Sequence, residues 1–202
     1  EIPEYKLQNF NMSLQEFKII FWWEWAHRFL GRLIGVTFII PLIYFTIKLG
    51  FKKLFNLYLI FILICFQGFL GWFMVQSGLV YDVDVSHFRL SAHLLFAFII
   101  LSLIFWNYLK TKVKINLKNT INLIFPLGFL FLIFLQIIIG AFVSGMDAGK
   151  IYNSWPLMGS SIFPDDNNYG NLFKLSAFSD PSLVQFIHRK LAYLIGFVYL
   201  YL

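Results

Sequence analysis

The sequence predicts an all-α, polytopic transmembrane helix bundle, and three observations carry that expectation. Hydrophobic residues make up 59% of the 202, mean hydropathy is +0.74, and only 13% of the residues are charged. The apolar residues gather into runs of roughly 20 or more, the length a helix needs to cross a bilayer core. A soluble domain of this size has no interior large enough to hide that much apolar surface.

Five runs qualify as spans, near 18–46, 53–75, 88–109, 121–143 and 183–202. The first helix is expected to begin ahead of its apolar run. Ser13-Leu14-Gln15-Glu16 is a capping box, and Glu16-Phe17-Lys18 reads as interfacial. Glycines in Gln67-Gly68-Phe69-Leu70-Gly71 and at Gly140 suggest close helix contacts in the second and fourth spans. Ser86 is placed to cap the third. The last span has Asp180 as its cap and Pro181 at its first helical position, the preferred order. Cys65 is the single cysteine and falls mid-span, so these residues form no internal disulfide or thiolate cluster. The chain opens at Glu1 without a methionine and closes at Leu202 inside an apolar run. We therefore expect a fragment of a longer protein, with spans missing at both ends, and read nothing into the lack of a signal peptide.

Lysine placement orients the bundle. Lys48, Lys52 and Lys53 fill the first connection, and Lys110, Lys112, Lys114 and Lys118 the third. The second connection, 76–87, carries Asp82 and Asp84 with no lysine or arginine, and the fourth, 145–182, is long and mixed. The positive-inside rule puts the lysine-rich connections on the cytoplasmic (or matrix) side, so all four histidines lie near the outer face. The net charge of +6 thus belongs to membrane-flanking loops, and nucleic acid is not an implied partner.

The four arginines depart from this pattern. Arg28, Arg32, Arg89 and Arg189 all lie within a few residues of a histidine, toward the outer leaflet. Ionisable groups in a bilayer are expensive and usually functional. Planar bidentate donors suit carboxylates, and a haem carries two propionates.

Two histidines open near-identical phrases, His-Arg-Phe-Leu-Gly-Arg-Leu-Ile-Gly at 27–35 and His-Arg-Lys-Leu-Ala-Tyr-Leu-Ile-Gly at 188–196. His27 follows Glu24 by three positions, which puts both on one helix face. Either a Glu–His or a Glu–Arg pair that merely joins helices, or a functional carboxylate, is consistent with that spacing. His93 lies about five residues into the third span, at a depth matching His27. His87 and His93 differ by about 240° around a helix, so one of them should face the bundle interior. We favour His93. For His87, beside the Ser86 cap, a surface role and a functional one stay open. His188 repeats the His27 pattern with Gln185 where Glu24 stands. A carboxylate can act on a bound group or stabilise developing positive charge, whereas an amide is better suited to holding one. That asymmetry favours an enzyme over a plain electron carrier. Zinc and di-iron sites usually draw Glu-x-x-His from two helices, and that pattern occurs once, at Glu24-Trp25-Ala26-His27. Bis-histidine haem, one ligand from each of two helices, fits the spacing and the arginines better.

At these residues the chain resembles the haem A synthase family, the Cox15/CtaA proteins of cytochrome oxidase assembly. The matching phrases are Pro3-Glu4-Tyr5, Met12-Ser13-Leu14-Gln15-Glu16-Phe17-Lys18, Glu24-Trp25-Ala26-His27-Arg28 with Gly31-Arg32, and Met74-Val75-Gln76-Ser77-Gly78-Leu79. They continue with Ser86-His87-Phe88-Arg89-Leu90 through His93, Asp147-Ala148-Gly149-Lys150-Ile151-Tyr152-Asn153 with Trp155-Pro156-Leu157-Met158, and Gln185-Phe186-Ile187-His188-Arg189.

The resemblance implies an eight-span protein of two pseudo-symmetric four-helix halves, of which this chain looks like the second to sixth spans. Residues 1–109 would belong to the N-terminal half with its substrate haem site, and 110–202 to the C-terminal half with its cofactor haem site. It implies oxidation of the C8 methyl of haem O to a formyl group by successive hydroxylations, giving haem A. His27 and His93 would flank the substrate haem O, and Glu24 would orient its methyl group or stabilise a cationic intermediate. His188 would be one axial ligand of a haem B iron, with its partner on the absent eighth span. Arg28, Arg32, Arg89 and Arg189 would serve propionates or the outer face. Lacking an outer-loop cysteine pair, the chain is similar to the cysteine-free branch. Without the remaining spans, the 202 residues alone are expected to be inactive. A non-catalytic, cytochrome b-like electron carrier is the alternative from another class. A bacterial inner membrane is expected, with the mitochondrial inner membrane as alternative. Haem O synthase is a plausible partner by pathway logic, and an electron donor is required.

Overall fold

The computed structural model describes residues 6, 7, 9–78, 83–112 and 124–201. Among these are five helices long and apolar enough to cross a membrane. They are α1 (Leu14–Leu49), α2 (Phe55–Gly78), α3 (His87–Lys112), α4 (Ile124–Gly145) and α5 (Pro181–Tyr201). The all-α expectation holds, as do all five spans. The Pro3-Glu4-Tyr5 phrase, Leu79 of the 74–79 phrase, Asp82, Lys114, Lys118 and the first residues of the 121–143 run lie outside the described residues.

Local chemistry sets the helix ends. Ser13 and Glu16 form the reciprocal capping box, with Ser13 N–H donating to Glu16 Oε2 at 2.8 Å and Glu16 N–H to Ser13 Oγ at 3.3 Å. Helix α1 therefore begins ahead of its apolar run. At about 1.5 Å per residue its 36 residues extend roughly 54 Å, well beyond a hydrocarbon core. Pro41 sits inside α1, where spanning helices tolerate it. Gly50, at φ +82°, ends the helix in a conformation that favours glycine, and its N–H bonds Thr46 O at 2.9 Å. At α5, Leu183 N–H donates to Asp180 Oδ1 at 3.0 Å, and Pro181 takes the first helical position. Both signals at this end are borne out.

The helices form two compact units. The first contains α1, α2 and the part of α3 from Phe96 onward. Phe38 stacks on Phe61 at 6.2 Å, Thr46 Oγ1 lies 2.8 Å from Tyr58 Oη, and Phe66 meets Phe96 edge-on at 5.3 Å. Leu42, Ile60 and Ile100 are its buried apolar residues. The expected close approach at Gly68 is absent: no described neighbour lies within 4 Å of where its Cβ would be.

The second unit contains Ser86–Leu95, α4, the loop after it and α5. Its core is Ile139, Phe142 and Val184, with Ile138, Phe178, Ile187 and Leu191 packed against them. The loop between α4 and α5 is folded tightly over the start of α5. Ser182, Leu183, Val184 and Gln185 are consecutive and all buried, so this turn is enclosed on every side. Met158, Phe163 and Ala177 of the loop are buried as well. Asp166 accepts from Tyr152 Oη at 2.8 Å and from Ser182 Oγ at 2.6 Å. Trp155 Nε1 donates to Tyr193 Oη at 2.6 Å.

Candidate functional site

Histidine 188 lies two turns into α5, half-buried against α4. The amide nitrogen of Gln136 grips this residue twice, at 3.2 Å from the ring Nε2 and 3.3 Å from its backbone carbonyl oxygen. One turn along the same face of α4 stands Gly140. A Cβ there would lie 3.1 Å from His188 Cε1 and 3.7 Å from Nδ1. The expected close contact at Gly140 is real, and its partner is the imidazole. His188 Nδ1 is buried and has no hydrogen-bond partner among the described residues.

A second histidine meets the same helix. A Cβ on Gly145 would lie 2.9 Å from His87 Cβ and 3.0 Å from His87 Cα. The His87 ring packs edge-on to Phe142 at 5.3 Å, and its Nε2 is buried without a partner among the described residues. Four residues on, buried Ser91 donates to Ile138 O at 3.3 Å. His87 and Ser91 thus form the face of α3 that meets α4. His87 is half-buried, and the glycine at 145 admits its backbone and Cβ at close range. His93, also half-buried, is six positions from His87 and lies on a different face, as the helical period requires.

Gln185 and Arg189 have roles that sequence reasoning missed. The buried Gln185 amide pairs with the loop backbone, donating to Tyr152 O at 2.9 Å and accepting from Tyr152 N–H at 3.3 Å. Arg189 donates to Tyr152 O at 2.6 Å, Ser154 O at 2.9 Å and Leu157 O at 3.3 Å. Together they clamp residues 152–157 to the helix that carries His188. Arg189 keeps its Nε–H and one Nη2 hydrogen outside these three bonds, since a guanidinium has five.

In the first unit, Glu24 and Arg28 form an ion pair at 2.8 Å, one turn apart. The contact lies within α1 and joins no second helix. His27 and Arg32 are exposed on the same helix, and Trp25 stacks on Phe29 at 5.2 Å. Arg89 lies half-buried on α3. Among the described residues, no three His, Cys, Asp or Glu side chains gather as a metal cluster would require.

The sequence profile described as Cytochrome oxidase assembly protein, COX15-CtaA, matches residues 1–202. The chain belongs to the COX15-CtaA family. A Heme A synthase of Pelagibacter ubique is 52% identical over 201 residues, covering 98% of this chain and 59% of that protein. Heme A synthases of Rickettsia bellii (strain RML369-C) and Parvibaculum lavamentivorans are 43% and 44% identical, over 97% and 96% of this chain. The chain spans about three-fifths of the length of these curated relatives. No solved structure matches.

The resident cofactor that membership of the COX15-CtaA family implies is a haem. The second unit fits one at His188 on two observations. A buried ring nitrogen has no partner among the described residues, and Gly140 lets the ring lie where a side chain would begin.

Proposed function

We propose that this chain is the portion of a haem A synthase that carries most of its haem-handling residues. The reaction converts the C8 methyl of haem O to a formyl group by successive hydroxylations. The observation that carries this reading is the match along the whole chain to curated proteins named Heme A synthase. His188, seated on Gly140, supports it independently.

In this reading α1 and the start of α3 carry the substrate-side residues. His27 and His93 flank haem O, while Arg28, Arg32 and Arg89 face its propionates or the outer membrane surface. Glu24 orients the C8 methyl or stabilises positive charge developing beside it. A fixed carboxylate next to a forming cation is stronger in a dry site than in water. Helices α4 and α5 supply the cofactor side. His188 would hold a haem B through a ring nitrogen, and the haem would supply the redox chemistry. Arg189 and Gln185 hold the loop over that site, which limits access of water to it. The membrane is a bacterial inner membrane, with the haem sites toward its outer face. Haem O is supplied within the bilayer by haem O synthase, and a separate component exchanges electrons.

The test is extraction of haems from the full-length protein, made in a host that produces haem O but no haem A. Chromatography with mass spectrometry should find haem A or hydroxylated haem O, absent from Glu24→Gln and His93→Ala. Haem B alone in every variant would sink the enzyme and leave a bis-histidine electron carrier.

A further inference from the structure

The most apolar span in the molecule holds one polar side chain in the 20 residues before Ser144, and that residue is Gln136. Polar groups inside a membrane are costly and tend to be retained for function. Its amide is aimed at a single residue, reaching both the ring and the carbonyl oxygen of His188. The contact leaves two buried atoms without partners, Gln136 Oε1 and His188 Nδ1. An amide nitrogen donating to Nε2 makes that nitrogen an acceptor and puts the ring proton on Nδ1, where nothing receives it. A buried acceptor and a buried donor, neither with a partner among the described residues, are costly to leave unpaired. That arrangement suits a site whose protonation pattern changes when it is filled.

We propose that Gln136 is the positioning residue for His188, its carbonyl oxygen accepting a proton from ring Nε2 and leaving Nδ1 as the nitrogen toward iron. The inference rests on the reading of His188 as a haem B ligand. An imidazole that ligates through one nitrogen carries a proton on the other, and a hydrogen bond to that proton fixes ring orientation and raises ligand basicity. Exchanging the two ends of the Gln136 amide presents the oxygen at the ring position that its nitrogen now holds. Gly140 and Gln136, four residues apart, then act together: one clears the space for the ring, the other sets its rotation.

The experiment uses the full-length protein from a host lacking haem O, so that bound haem is haem B. Haem retention and midpoint potential are read for wild type, Gln136→Met, Gln136→Glu and His188→Ala. Gln136→Met keeps volume and removes the acceptor. It should raise the potential and weaken haem retention on the order of tenfold or more, the usual effect of losing such a partner. Gln136→Glu offers a stronger acceptor and should lower the potential. A wild-type potential in Gln136→Met, shifts of the same sign in both variants, or haem loss from both overturns the proposal. Haem retained in His188→Ala with an unaltered spectrum instead overturns the ligand assignment beneath it.

Discussion

The imidazole of His188 lies where a side chain on Gly140 would begin, with Cε1 only 3.1 Å from that point. Gly145 stands in the same relation to His87, but there the near atoms are Cβ and the backbone Cα. The two glycines should therefore respond differently to alanine. At Gly140 the neighbour is the far end of a side chain, which can give by a few tenths of an ångström. Alanine in a helix interior also gains about 0.5–1 kcal/mol over glycine. Gly140→Ala should leave the thermal midpoint near wild type, whereas Gly145→Ala should lower it through overpacking worth about 1–3 kcal/mol. Thermal unfolding of the detergent-purified protein decides this, and equal midpoints for the two variants would contradict it.

Gln185 sits at the position equivalent to Glu24 in the repeated phrase, so Gln185→Glu is the natural swap. The amide donates to Tyr152 O and accepts from Tyr152 N–H, a pairing that only an amide can make. A carboxylate would set oxygen against oxygen in a buried position. Gln185→Glu should release residues 149–157 from α5 and cost about 1–3 kcal/mol, the penalty of unmade buried hydrogen bonds. Limited proteolysis of that loop should be faster than in wild type, and an unchanged cleavage rate would argue that the clamp is dispensable.

Arg189→Lys probes the other half of the clamp. Three carbonyls at 2.6–3.3 Å are reached by two guanidinium nitrogens in a fixed fork, which a lysine ammonium cannot reproduce. The expected outcome is faster hydrogen exchange through residues 152–157, with the helical content of the protein unchanged. Protection equal to wild type would show that charge alone suffices.

Legibility in the sequence divides along physical lines. Helix ends were readable because their determinants are local: Ser13 with Glu16, and Asp180 with Pro181, act within one turn. The spans were readable because a bilayer demands length and apolarity and little else. Tertiary partners were not. Gly68 and Gly140 look alike in sequence, yet only Gly140 meets a neighbour among the described residues. Arg189 resembles a propionate ligand by composition, and its carbonyl partners lie 32 to 37 positions away in a loop without regular periodicity. Gln136 left a signal that went unused, a single amide in an otherwise apolar run.

Glu24→Gln separates chemistry from stability. The Glu24–Arg28 pair is more than half exposed on both sides, and such a one-turn pair contributes about 0.3–0.5 kcal/mol at most. Neutralising Glu24 should therefore leave melting temperature and haem content unchanged while abolishing haem A formation. Parallel loss of haem and stability would instead assign Glu24 to structure.

The loop over α5 carries its own pH limits. Backbone and side-chain hydrogen bonds from Ser160, at 2.5 and 3.0 Å, hold the Asp165 carboxyl below the ordinary aspartate range. Its contribution is fully present above that ordinary value and is lost as pH falls through the lower folded one. Tyr152 behaves oppositely. Desolvation first, and its hydrogen bond to Asp166 second, raise its pKa, so its contribution holds at ordinary pH and is lost as pH climbs through the raised value. The Ser160 amide reports the acid edge directly, because its N–H is the donor to Asp165. Its protection factor should be constant near neutrality and collapse only in acid below the ordinary aspartate range, with Asp165→Asn abolishing that dependence. Protection that persists in acid, or a collapse that survives in Asp165→Asn, would place the acid sensitivity in another group.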